Sequence, residues 1–377
     1  MSVAPNEAAA TPAGRRLADL NEFWVVRALL GSSLVSVLLV GLVVGVYETG
    51  AAATQTVVLI FLYDLLVVLG LQVFTGNSGV VSFGHVAFMG IAAYTTALLT
   101  TDVATKQSQI PNAPGFIRHA HFAFLPSTLV AIAITAVVAI PVGFVFARLS
   151  GAAAAIVTLS WLLIVQSVLA NWDTVTHGTF TFYGIPPSTT VWWGLGWAVV
   201  AIFVARLFRE SGLGLSLRAT SADPLVARAV GVNLRRARLA AWVLSAGMAA
   251  VAGVLYAHFI TALAPTIFGF DLTFPLLVMV IVGGRSVSGA VVGAATIAFI
   301  QETLRRIENS TGHQGVSTAV LAAIFLGMMI VRSEGLLGRW ELDELLARGT
   351  RMVRARRATQ LPAEQSLAQK GGGTGET

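Results

Sequence analysis

Apolar residues run through this chain in stretches of about 20, the length a helix needs to cross the hydrocarbon core of a bilayer. They fall near residues 28–47, 51–74, 80–99, 124–147, 152–170 and 191–208, and again near 239–261, 274–300 and 317–331. Only 11% of the 377 residues are charged while 56% are hydrophobic, against about 25% charged in a soluble domain. Too few charges remain to cover a water-facing surface. The pattern predicts an all-α, polytopic membrane protein of about eight to ten spans. Its 37 glycines are scattered inside the apolar runs, where they let helix backbones approach closely. There is no cysteine, so disulfides and thiolate chemistry are excluded.

The net charge of +6 comes from arginines between the apolar runs and in the tails. That is the distribution of cytoplasmic loops, and it argues against nucleic-acid binding. Arg15-Arg16 before an apolar run raises a twin-arginine signal, but the run that follows exceeds a signal's apolar region and more spans come after it. Seven arginines (Arg206, Arg209, Arg218, Arg228, Arg235, Arg236 and Arg238) face only Glu210 and Asp223 in the central loop, and Arg339, Arg348, Arg351, Arg354, Arg356 and Arg357 follow the last run. The positive-inside rule places both regions, and the N-terminus with Arg15, Arg16 and Arg27, on the cytoplasmic side. The expected organisation is a tail at 1–26, a membrane domain at 27–338 with a cytoplasmic loop at 209–238, and a tail at 339–377. Three simple crossings after that loop would export the C-terminal arginines. The run at 274–300 is therefore expected to be a broken, hairpin-like pair of short helices.

Its break is Gly283-Gly284-Arg285-Ser286, and a matching break, Gly76-Asn77-Ser78-Gly79 through Gly84-His85, interrupts the first half. One Gly-interrupted segment per half points to a transport site built from discontinuous helices; tight helix packing is the other reading of these glycines. Asp64, His85 and Arg285 are ionisable groups at membrane depth or at the breaks, and such groups usually face the bundle interior. Asp64 suits a functional proton carrier or a structural partner to an arginine or a broken helix end. His85 suits a path-lining or a packing role. His119 and His121 lack a third ligand nearby and do not make a metal site. No cofactor is expected.

A phosphate-binding loop of the form Gly-x-x-x-x-Gly-Lys-Ser/Thr is absent: the two lysines, Lys106 and Lys370, are not followed by Ser or Thr. In the basic loop, Asp223-Pro224 reads as an N-cap with proline at the first helical position. Leu225, Val226, Ala229 and Val230 then share a face of a short amphipathic helix that Gly231 or Asn233 ends. This helix suits the lipid surface or a groove on a partner, and its narrow face favours the groove.

The block from Gly76 to Tyr94, with Gly79, Ser82, Gly84, His85, Ala87, Phe88 and Gly90, resembles the G-x-x-G-x-x-S-x-G-H-x-A-F-x-G-x-G-A-Y block of branched-chain amino-acid ABC transporter permeases of the LivM type. Similarity continues through Ala147 to Gly151, Ala155 to Leu159, Tyr183 to Pro186, Ala227 to Asn233, Ser245 to Tyr256, Gly283 to Gly293 and Glu334 to Gly338. The resemblance covers roughly residues 30–340, in order. It implies a permease subunit that is not an enzyme, in a bacterial inner membrane, with both termini cytoplasmic. It implies a second permease subunit, two ABC ATPase subunits and an extracytoplasmic solute-binding protein as partners, beside the lipid membrane. Path residues would be Ser82, Gly84, His85, Phe88, Thr158, Gly283, Gly284 and Ser286. ATPase coupling would use Asp223, Pro224, Leu225, Val226, Ala227, Val230 and Gly231. Departures at Gln72, Ala92, the loop 178–182, Ala222 and Ser333-Glu334 bear on the substrate, which in the family and its near relatives ranges from branched-chain amino acids to urea and short amides. A proton-coupled secondary transporter using Asp64 or His85 is the alternative.

Overall fold

Inside a bilayer, backbone polar groups have no water to bond, so a spanning segment must satisfy them internally as helix. The computed structural model describes residues 12–48, 50, 52–229, 231–312, 315–332 and 334–344. It follows that rule almost throughout. Helices α1 (Pro12–Tyr47) and α2 (Ala52–Leu71) lead into a π-helical turn at Gln72–Gly76. After a stretch without regular structure at 79–84, α3 (His85–Thr100) bends by 119° into α4 (Val103–Gln109). The short α5 (Gly115–His119) precedes α6 (Phe124–Phe146), α7 (Gly151–Asn171) and the single turn α8 (Asp173–Thr176). Strand β1 (Phe182–Tyr183) pairs antiparallel with β2 (Ala262–Leu263) far along the chain. Between them run α9 (Val191–Glu210), α10 (Gly212–Ala222), α11 (Pro224–Ala229) and α12 (Leu234–Ile260). Then follow α13 (Phe270–Gly283), α14 (Val287–Thr311) and α15 (Val316–Val331).

Among the described residues, eight helices are long and apolar enough to cross a membrane; the bent α3–α4 pair makes a ninth candidate, and α15 is a shorter apolar helix. Helices α2 and α12 form the centre: α12 packs on α3, α6 and α2, while α2 also meets α9 and α14. Leu62, Leu65, Val67, Val68 and Leu69 of α2 are fully buried. The outer helices invert the pattern of a soluble protein. Leu30, Val37, Leu129, Val137, Ile156 and Leu163 are each more than half exposed. A surface this apolar is stable only against lipid or another apolar partner. Hydroxyls inside the spans bond backward one turn, as Ser32 does to Ala28 O (2.7 Å) and Thr135 to Ala131 O (2.8 Å), so they cost little in a dry interior.

Two boundaries differ instructively from the sequence reading. The run at 274–300 resolves into α13 and α14, which pack against each other as a hairpin, but α14 has 25 residues rather than being short. Of the two helix ends offered by the sequence, Gly231 turns the chain after α11 at φ +82°, whereas Asn233 starts α12: its Oδ1 accepts from Arg236 N at 3.2 Å. The apolar pattern misses this because the first turn of α12 carries Arg235, Arg236 and Arg238.

Candidate functional site

The first break is built by π-turn geometry, which is found mostly as single-turn bulges and often at functional sites. Its freed backbone groups are answered by side chains: Asn77 Nδ2 donates to Val73 O (2.9 Å), and Ser78 Oγ accepts from Val80 N (3.1 Å). The chain then re-enters helix at His85. Ser82 Oγ lies 3.1 Å from His85 Nδ1, and the other ring nitrogen, Nε2, lies 2.8 Å from Ser245 Oγ on α12. Thr158 Oγ1 on α7 accepts from Phe83 N at 3.1 Å. Phe88 packs with Trp161 and Trp242 at ring-centroid distances of 5.8 and 5.3 Å. Gly84 sits so close to α7 that a Cβ there would meet Trp161 Cδ1 at 3.0 Å and Thr158 O at 3.1 Å. Five expected path residues, Ser82, Gly84, His85, Phe88 and Thr158, thus converge at the N-terminus of α3, and all are buried.

The second break gathers the other three. Gly283 abuts the backbone of Gly289 across the α13–α14 hairpin. Gly284 turns the chain at φ +100°, a backbone conformation that a side chain resists. Ser286 caps α14 by accepting from Gly289 N at 3.0 Å. Among the described residues no hydrogen bond or ring contact joins this group to the Ser82–Thr158 group.

What joins the two breaks is Arg285. Its Nε donates to Gly76 O (3.1 Å), its carbonyl accepts from Gln72 Nε2 (3.2 Å), and its Nη2 donates to Ser221 Oγ of α10. The same carbonyl accepts from Arg209 Nη1 at the end of α9 (2.6 Å). The first break, the second break and α10 therefore meet on one guanidinium and one carbonyl.

Behind Arg285 lies an ion network that sequence reasoning did not find. The segment 334–344 runs along the second break, with Leu336 N donating to Val282 O (2.7 Å) and Arg285 N to Gly338 O (2.9 Å). It delivers Glu341, 1% exposed, to the N-terminus of α14. There Glu341 accepts from Val287 N (3.0 Å), Ser288 N (3.0 Å) and Ser288 Oγ (2.7 Å), the position where a helix end favours negative charge. Arg206 Nη1 and Arg209 Nε reach it at 2.7 and 2.8 Å. Arg206 also binds Asp343 (2.9 Å), and Arg27 pairs with Glu344. Burial pushes the Glu341 carboxyl up, but Arg209, Arg206 and the Ser288 hydrogen bonds outweigh it and hold it below the usual carboxylate range. The signal was present in the sequence: Arg206 falls inside an apolar run, and Glu341, Asp343 and Glu344 form an acidic cluster among the C-terminal arginines.

On the adjoining loop, Asp223 Oδ1 accepts from Leu225 N (2.8 Å) and Val226 N (3.1 Å), the capping expected of it, and Pro224 opens α11. Leu225 is 75% and Val226 60% exposed, whereas Ala227 is buried. Gly231 turns the chain at φ +82°. Val230 lies outside the described residues. Asp64 is 8% exposed and faces a cavity of about 240 Å³ that it shares with Gln301, Glu302 and Arg305. Arg305 pairs with Glu302 at 2.8 Å rather than with Asp64, which makes no hydrogen bond or ion pair among the described residues.

Long helices with apolar outer faces and a central pair of tied helix breaks define a multi-pass α-helical membrane protein. Residues 52–332 match the family described as branched-chain amino acid transport system / permease component, and the chain belongs to that family. It is similar to the high-affinity branched-chain amino acid transport system permease protein LivM of Escherichia coli (strain K12), with 28% identity over 71% of this chain and 66% of the relative. The LivM protein of Salmonella typhimurium is 28% identical over 76% of this chain and 69% of its own length. The high-affinity branched-chain amino acid transport system permease protein LivH of Escherichia coli (strain K12) is 32% identical over 39% of this chain and 46% of its own length. The chain thus spans about two thirds of the length of the LivM relatives. No solved structure matches it.

Proposed function

We propose that this chain is the membrane-spanning permease subunit of an ABC importer for branched-chain amino acids or related small polar solutes. It works in a bacterial inner membrane with a second permease subunit, two ABC ATPase subunits and an extracytoplasmic solute-binding protein. The chain lacks a phosphate-binding loop, so hydrolysis belongs to the ATPase chains. The observation that carries this reading is the Arg285 junction, which ties α10 to both helix breaks. A push on α10–α11 from outside the chain has a direct mechanical route to the discontinuous helices, where transport sites lie in such folds. The uncovered apolar side chains Leu225 and Val226 supply the contact, docked into a groove of the ATPase.

Helix parity supports the orientation. With α1, α2, α3, α6, α7 and α9 as crossings before the basic loop, and α12 to α15 after it, both termini and the basic loop share the cytoplasmic side. Transport then proceeds by gating. The Ser82–His85–Ser245 contacts and the ring contacts of Phe88 hold the path closed in this conformation, and motion at the breaks loosens them. The test is cross-linking: Leu225→Cys in this cysteine-free chain is expected to join an engineered cysteine in the ATPase cleft, with yield changing between ATP-bound and nucleotide-free states. Absence of any cross-link in either state, in a complex that assembles, overturns the coupling assignment.

A further inference from the structure

At the cytoplasmic ends of α9 and α13, a cleft of about 650 Å³ opens between α10 and the segment after α15. Its walls carry Arg209, Arg218, Arg285 and Arg339, with Ser221 and Trp340 beside them. The acids nearby do not neutralise this set. Arg209 is matched by Glu341 at 2.8 Å. Glu344, on the cleft wall, is engaged by Arg27. Among the described residues within ion-pair distance, Arg218 has Glu210 at 3.9 Å and Arg339 has Glu334 at 3.5 Å in a largely exposed pair; Glu341 and Glu344 act on Arg218 from further off. No carboxylate of the described residues lies within ion-pair distance of Arg285, whose guanidinium binds only Gly76 O and Ser221 Oγ. Arg218, Arg285 and Arg339 thus share one space in which no described carboxylate makes a close, buried ion pair with any of them.

The crowding leaves a mark. Burial, and then the charges of Arg339 and Arg209, push the Arg285 guanidinium down from its ordinary value; burial and Arg209 do the same to Arg218. An anion in the cleft relieves both. The depth of the cleft narrows the choice of anion. It lies where α9 and α13 end and α14 begins, which in a helix of spanning length is the membrane–water interface. Leu215 and Trp340 are exposed at its rim, and tryptophan is enriched at headgroup level. Guanidinium groups bind phosphate oxygens bidentately, and basic pockets between helices on the cytoplasmic side suit anionic headgroups.

We propose that this cleft binds a phosphate-bearing anion, held by Arg218, Arg285 and Arg339 with the Ser221 hydroxyl beside them. The phosphate comes from an anionic phospholipid of the surrounding leaflet or from free phosphate in the cytoplasm. Bound there, it cross-braces α10, the second break and the segment 334–344, so occupancy stiffens the same junction through which α10 reaches the breaks. The site does not depend on the transport reading, since its chemistry is that of this chain alone.

Native mass spectrometry of the purified full chain, equilibrated in mixed phosphatidylglycerol and phosphatidylcholine, tests the lipid source. One phosphatidylglycerol is expected to be retained in preference to phosphatidylcholine. Arg218→Gln/Arg339→Gln alters exposed and half-exposed side chains and spares the Arg285 junction. It is expected to lower that retention about tenfold. Arg305→Gln/Arg306→Gln, near the far end of α14, removes the same charge and is expected to leave retention unchanged. Titration of inorganic phosphate into chain held in phosphatidylcholine alone, read by phosphorus NMR line width, tests the free source; saturable binding lost in the first double variant supports the site with free phosphate as its ligand. Equal retention of the two lipids with no saturable phosphate response overturns the proposal. So does protection of an Arg339→Cys thiol that arises only on adding the ATPase, which would make the cleft a protein contact.

Discussion

Replacing Glu341 by glutamine removes one charge and almost no volume, which isolates the electrostatics of the buried network. Glu341 receives five contacts: two backbone N–H groups at the start of α14, the Ser288 hydroxyl, and Arg206 and Arg209 at 2.7 and 2.8 Å. Arg206 is 2% exposed, so its charge has no recourse to solvent when the carboxylate is gone, and Asp343 covers only its other nitrogen. Removing one partner of a buried ion pair costs about 3–5 kcal/mol. Glutamine keeps one acceptor oxygen but turns an NH₂ toward donors, so the lower half of that range is the floor. The assay is equilibrium unfolding of the purified full chain in mixed micelles, followed by tryptophan fluorescence. The midpoint shift is expected to correspond to at least about 3 kcal/mol. In an Arg209→Gln background the same replacement is expected to cost at least about 1 kcal/mol less, because one of the stranded charges is already absent. A shift below about 1 kcal/mol, the size seen for exposed pairs, refutes the claim that this network holds 334–344 in place.

The same carboxylate sets a pH dependence. Its folded pKa is below its unfolded one, so its stabilisation is complete above the ordinary Glu value of about 4.3 and is lost as pH falls through the depressed folded value; the stability gap between wild type and Glu341→Gln is expected to hold from pH 7 to 5 and to narrow only in stronger acid. Gly84→Leu forces a side chain into Trp161 and Thr158 and is expected to cost at least about 1–3 kcal/mol in the same unfolding assay, with an unchanged midpoint counting against the close approach of α3 and α7. Leu225→Asp, on an exposed position, is expected to shift stability by no more than about 0.5 kcal/mol while abolishing the stimulation of ATP hydrolysis by the solute-loaded binding protein; retained stimulation removes α11 from the coupling route.

The apolar runs made the membrane fold legible, because lipid permits few alternatives and a run of spanning length has one cheap solution. Both breaks were legible for a related reason: Gly76-Asn77-Ser78-Gly79 and Gly283-Gly284 stand out where polar and flexible residues are otherwise excluded. The Asp223 cap was readable from local chemistry alone. The meeting of Arg285 with Gly76 and Ser221 was not, since it joins residues more than 200 and about 60 positions apart in sequence and no local pattern encodes such pairing. Glu341 was hidden for a different reason. A short acidic cluster among arginines reads as solvated tail until α9 brings Arg206 and Arg209 to it. Ala227 joins the coupling residues through the family resemblance and not through the apolar face, and it is buried while Leu225 and Val226 are exposed.

The central claim is that motion on α10–α11 drives the path through the tied breaks, and uptake by reconstituted complex tests it most directly. Proteoliposomes holding this chain with the proposed second permease subunit and ATPase pair are loaded with ATP and given the proposed solute-binding protein with radiolabelled leucine. Uptake is expected to require internal ATP, to persist with a protonophore present, to survive Asp64→Asn, and to be lost with Leu225→Asp although the complex still assembles. Uptake that proceeds without ATP, collapses with the protonophore and fails in Asp64→Asn contradicts the account and makes Asp64 a proton carrier.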